Sequence, residues 1–101
     1  MKTLFDRVHI GALTLENRFV RSATWERMAD ERGEPTEELF SVYEELARGE
    51  IGMIITGFSS VIEEEKPLAR MMGIYDDGFI GTYRKLTRMV HALGGKLVKQ
   101  I

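Results

Sequence analysis

Residues 15–26 read LENRFVRSATWE. The β-prone run Arg18-Phe19-Val20-Arg21 passes directly into the small and hydroxyl residues Ser22-Ala23-Thr24 and then meets the only tryptophan of the chain, Trp25. A strand that ends this way keeps its backbone accessible, and a large aromatic beside it can wall a pocket. The stretch therefore predicts the first strand of a sheet with a ligand site at its carboxyl end. An edge strand running into a turn is the plainer alternative.

Upstream, Val8, Ile10, Leu13 and Leu15 flank Gly11-Ala12, which predicts a hairpin within residues 4–17 that covers one end of a core. Downstream, Met28 to Pro35 is rich in charge and breakers and reads as a solvent loop. Thr36 is a suitable N-cap, with Glu37 and Glu38 in the first turn. Leu39, Phe40, Tyr43, Leu46 and Ala47 then share one helical face up to Gly49. Ile51 to Thr56, IGMIIT, is apolar, short and bounded by glycines, as a strand covered on both faces reads.

Gly57 to Asp77 is mixed and long for a loop, and loops of that length are more often functional. Asp76 or Asp77 can cap a second helix with Phe79, Ile80, Tyr83, Leu86, Val90 and Leu93 as its apolar positions. Gly94-Gly95 ends it before a third strand, Lys96 to Ile101. Strands separated by helices of this length pair in parallel through crossovers, which gives α/β class and a βαβαβ order after the hairpin.

The 101 residues suffice for one domain. Apolar residues at 44% and charged residues at 30%, with a formal charge of −2, describe a globular chain without the basic bias of a nucleic-acid binder. No cysteine is present, so neither disulfides nor cysteine-bound metal can form within these residues. The N-terminus lacks the apolar run of a signal peptide, and the longest apolar stretch is far too short to span a membrane. A cytoplasmic location and no membrane partner are the expectations.

Gly52 and Gly57 have P-loop spacing, but Phe58-Ser59 follow where Lys and Ser/Thr are required, and no GxGxxG occurs. His9 and His91 are far apart, and the Glu63-Glu64-Glu65 run reads as solvated, so neither metal ligands nor catalytic acids are assigned. The strand ends are the better candidates: Ser22-Ala23-Thr24, Thr56-Gly57-Phe58-Ser59 and Gln100. In parallel α/β architectures those ends form the ligand face. Hydroxyls, a glycine and a carboxamide suit a polar planar heterocycle, with Trp25 and Phe58 giving apolar contact. Ordinary turn residues after strands remain the alternative.

LFDRVHIGALTLENRFVRSATWE resembles the opening of the Old Yellow Enzyme family of FMN-dependent NADH:flavin oxidoreductases. YEELARGEIGMIITGFSSV is similar to the family's second strand region, and MMGIYDDGFIGTYRKLTRMVHALGGKLVKQI to its next loop, helix and third strand. The resemblance implies an N-terminal hairpin plus the first three strands and two helices of a (β/α)₈ TIM barrel, with residues 1–101 a partial barrel domain. It implies hydride transfer from NADH or NADPH through FMN to a small-molecule electron acceptor such as an activated alkene. Ser22, Ala23 and Thr24 would lie against the flavin ring and ribityl chain. Phe58 would contact the ring through its backbone, Gln100 would bond the pyrimidine edge, and Trp25 would border the substrate pocket.

Two departures stand out against the family pattern. Many members have proline then methionine or threonine where this chain has Ala23-Thr24, and some have cysteine where Trp25 stands. The substrate-binding histidines, the proton-donating tyrosine and the phosphate loops lie beyond Ile101 in that pattern. A barrel of this kind takes roughly 250 residues. The expectation is a truncated product or a piece of a longer chain, inactive in isolation. A non-catalytic flavin-binding piece, or one that self-associates through its open sheet as a homo-oligomer, is the alternative.

Overall fold

A computed structural model describes residues 1–65 and 68–101, with Glu65 described by its backbone alone. Lys66-Pro67 of the long loop lies outside the described residues.

Strands β1 (Val8–Ile10) and β2 (Leu13–Leu15) form the expected antiparallel hairpin, with Val8 opposite Leu15. Gly11 turns it at φ +59°, a conformation glycine adopts without penalty. Strand β3 (Val20–Arg21) follows, then helix α1 (Glu37–Arg48), β4 (Met53–Ile55), β5 (Ser59–Ser60), β6 (Met72–Gly73), α2 (Ile80–Ala92) and β7 (Leu97–Val98). The principal sheet has the order β3-β4-β7, both pairs parallel, with Val20 opposite Met53 and Ile54 opposite Leu97.

Helix α1 forms where its sequence places it. The Thr36 hydroxyl accepts the Leu39 amide, Glu37 and Glu38 occupy the first turn, and Gly49 ends the helix. Leu39, Tyr43 and Ala47 on one face are buried, with Phe40 and Leu46 half-buried beside them. They meet Ile54 of β4 and Leu86 and Val90 of α2 in one core cluster, where each large side chain contributes on the order of 2 kcal/mol.

Pleating sends alternate residues to opposite faces. Ile54 points into this core, whereas Met53 and Ile55 are only half-buried, and Val20 and Val98 on the same open face are exposed. Within these residues β4 is fully covered on its helix-facing side alone. Both helices contribute to a single core with Ile54, and among the described residues the other face is left open.

Two further expectations change. Met28 to Pro35 is a packed turn: Ala29, Gly33 and Pro35 are buried, and Ala29 bridges Pro35. The Asp30 carboxylate accepts the amides of Arg32, Gly33 and Glu34, so its charge is satisfied locally and the turn can dock. It docks on β6, where the Gly73 amide donates to Gly33 O at 2.9 Å. The described residues between 57 and 77 carry structure of their own, since β5 pairs in parallel with β6, and a short 3₁₀ turn holds Glu63–Glu65. Two-residue strands leave no periodicity to read.

Asp76 caps a 3₁₀ turn over Asp77–Phe79 by accepting the Gly78 amide, and α2 continues from it. Phe79, Leu86 and Val90 are buried as expected, but Ile80 is half-exposed because α2 begins there and turns it outward. His9 lies on β1 with Nδ1 3.0 Å from Thr14 Oγ1, and His91 is exposed in the last turn of α2. No helix among the described residues is long and apolar enough to cross a membrane.

Candidate functional site at the strand ends

The carboxyl ends of β3, β4 and β7 are tied together by backbone contacts. The Thr56 amide donates to Val98 O at 2.9 Å, and the Gln100 amide donates to the Thr56 hydroxyl at 3.2 Å. Gln100 O in turn accepts the Ser59 amide at 3.0 Å. The end of β7 is thus held along one edge by residues that follow β4. Its carboxamide is left exposed, with both a donor and an acceptor to offer.

The end of β3 comes just as close to β4. A β-carbon on Gly57 would sit 2.6 Å from Thr24 O, so only glycine admits this approach. Ser22 and Thr24 are exposed, and the Thr24 hydroxyl donates to Ser22 O at 3.1 Å, which closes a tight turn. Ala23 is half-buried, and Trp25 and Phe58 are about two-fifths exposed. Thr24 is brought beside Gly57, and Gln100 beside Thr56 and Ser59; Trp25 and Phe58 share no ring contact among the described residues.

The sequence reading missed a layer of charge directly behind these ends. Arg21 Nη1 donates to Glu26 Oε1 at 2.7 Å, and the Glu26 side chain is only 6% exposed. The Arg21 guanidinium lies 6.0 Å from the centroid of the Tyr43 ring. The Tyr43 hydroxyl is buried without a well-formed hydrogen bond, and burial, then the Glu26 charge, push its pKa above the ordinary tyrosine range.

Lys99 is the second omission. Its Nζ lies 3.0 Å from the Tyr83 hydroxyl, 3.4 Å from Met72 Sδ and 4.1 Å from the centroid of the Tyr83 ring. Tyr83 donates onward to Gly73 O at 2.7 Å, which links β7, α2 and β6. Burial pulls the Lys99 amine down to about 7, although the Glu26 carboxylate works in the opposite direction. Strand alternation held a clue, because Lys99 is two residues from Leu97 and therefore shares its helix-facing side.

Two clefts of 420 and 460 Å³ are both lined by Phe5, Asn17, Glu50 and Ile51. Those residues lie at the amino ends of the strands, so the clefts are remote from this chemistry.

The description "NADH:flavin oxidoreductase / NADH oxidase family" matches residues 3–101. The chain belongs to this family. N,N-dimethylglycine/sarcosine dehydrogenase of Chromohalobacter salexigens is 38% identical over 100 residues, which cover 97% of this chain and 14% of that protein. A flavin mononucleotide-dependent alkene reductase of Leishmania infantum, so named as probable, is 32% identical over 91% of this chain and 25% of its own length. The Old Yellow Enzyme structure from Trypanosoma cruzi superposes with a TM-score of 0.85 at 30% identity, over 95% of this chain and 26% of that one. The chain thus spans between about a seventh and a quarter of the length of these family members.

For a flavin the strand ends offer a consistent donor set. The Gln100 carboxamide suits the paired donor and acceptor of a pyrimidine edge, and on the β3 side Ser22 and Thr24 are exposed, the Thr24 hydroxyl keeping its lone pairs to accept while it donates to Ser22 O. Gly57 lies between them and carries no side chain, which lets the Thr24 carbonyl approach its backbone.

Proposed function

We propose that residues 1–101 supply the first part of an FMN-binding (β/α)₈ barrel, with β3, β4 and β7 as its first three strands. Ser22, Ala23 and Thr24 lie along the flavin ring and ribityl chain, the Phe58 backbone borders the ring, and Gln100 bonds its pyrimidine edge. Trp25 faces the substrate side. Bound there, FMN would supply hydride-transfer chemistry between NADH or NADPH and a small-molecule acceptor such as an activated alkene. The residues of this chain bind and orient, and on this reading the 101-residue chain holds one wall of the site and does not turn over by itself.

The observation that carries this reading is the knot of backbone contacts joining Thr24, Gly57, Thr56 and Gln100 at one end of a parallel sheet. The open face with exposed Val20 and Val98 supports self-association of the isolated chain as an accompanying property.

FMN titration followed by quenching of flavin fluorescence tests the proposal. Binding that weakens about tenfold on Gln100→Ala is expected from loss of a hydrogen-bonded contact in a partly closed site. A protein carrying these residues that stays colourless and leaves flavin fluorescence unchanged at saturating FMN would overturn it.

A further inference from the structure

Glu26 follows directly on the strand-end segment yet turns away from solvent. Its side chain is 6% exposed, while Trp25 before it and Arg27 after it are exposed. Burying a carboxylate is unfavourable unless it is paired, so this placement demands a structural reason. Oε1 reaches back to Arg21 on β3 at 2.7 Å. Oε2 lies 3.0 Å from the point a β-carbon on Gly57 would occupy. Tyr43, fully buried on α1, backs the pair. Arg27 then takes φ 58°, an uncommon left-handed conformation for a residue with a side chain, and leads the chain away.

The segment 22–25 is therefore held at both ends by one ion pair, Arg21 before it and Glu26 after it. We infer that Glu26 is a positioning residue: it closes residues 22–26 into a strap on β3 and, by packing at Gly57, holds Thr24 and Trp25 at a fixed place on the site. Buried pairs of this kind add little net stability compared with apolar residues, and fixing one geometry among several is their best-attested use. This inference rests on the flavin reading only for what the strap faces. The strap itself is a property of the chain.

Trp25, the sole tryptophan, reports on the strap without any flavin. Glu26→Gln keeps the shape of the side chain and removes its charge. In the full chain it is expected to increase acrylamide quenching of Trp25 and its fast anisotropy loss, and to weaken FMN binding about tenfold, with far-UV circular dichroism unchanged. Arg21→Gln frees the same carboxylate from the strand side and must reproduce the Trp25 response; it carries the test if Glu26→Gln does not fold. Trp25 quenching at the wild-type level in these variants overturns the inference, whatever happens to FMN affinity. So does a freely rotating Trp25 in the wild-type chain. A Trp25 response in a protein that binds no FMN supports the strap and overturns the flavin reading alone.

Discussion

The backbone carbonyl of Thr24 sits so close to Gly57 that a β-carbon at position 57 would lie 2.6 Å from it. Residues separated by a whole helix and two strand ends are thus in backbone contact, and the shape of the candidate site depends on the absence of a single carbon atom. Gly57→Ala forces either β3 or β4 to move. The substitution is expected to destabilise the chain by about 2–3 kcal/mol, as overpacking against backbone does, and to lower the urea midpoint accordingly. A midpoint equal to wild type would show that the two strand ends separate freely.

Lys99 makes stability depend on pH in a defined direction. Burial lowers its amine to about 7 in the folded chain, against the ordinary 10.5 of an exposed lysine. Between those values the unfolded chain binds more protons than the folded one, so stability rises with pH there. Below about 7 the amine is protonated in both states, and the burial penalty is fully present. Lys99→Met is expected to stabilise the chain at pH 6 and to remove a slope of at most about 1.4 kcal/mol per pH unit between pH 7 and 10. Urea denaturation of both proteins across that range is the measurement, and parallel curves would refute the assignment.

Tyr43 and Glu26 are neighbours with opposite expectations. The Tyr43 hydroxyl has no well-formed hydrogen bond, so Tyr43→Phe removes a buried polar atom that contributes little and should leave stability within about 1 kcal/mol of wild type. Glu26→Ala leaves the Arg21 guanidinium, 20% exposed, without its partner and should cost about 3 kcal/mol. Equal losses in the two variants, measured by equilibrium unfolding, would mean that the hydroxyl and the carboxylate act as one bonded unit.

Thr36 serves two elements. Its hydroxyl accepts the Leu39 amide at the start of α1 and donates to Met28 O, which joins the helix to the packed turn before it. Thr36→Ala is expected to cost about 1–2 kcal/mol, at the upper part of the range for a lost N-cap. Thr36→Ser should retain most of the stability, because the hydroxyl rather than the methyl makes both bonds.

What the sequence determined by itself is what local physics encodes. Thr36, the first-turn acids, the apolar face and Gly49 specify α1 within a few residues of chain, and the same kind of pattern placed α2, except that Ile80 at its first turn faces solvent. The alternation of short apolar runs with helices specified a parallel sheet, and from that order Ser22, Thr24, Phe58 and Gln100 could be put at the carboxyl ends of strands. Tertiary structure alone decided which polar residues are solvated. Glu26 and Lys99 look like surface charges in the sequence. Each is largely withdrawn from water, Glu26 with Arg21 against Tyr43 of α1 and Lys99 against Tyr83 of α2. Likewise, Gly57 reads as a strand terminator until Thr24 is seen against it. Burial and close approach depend on contacts between distant residues, and no local periodicity records them.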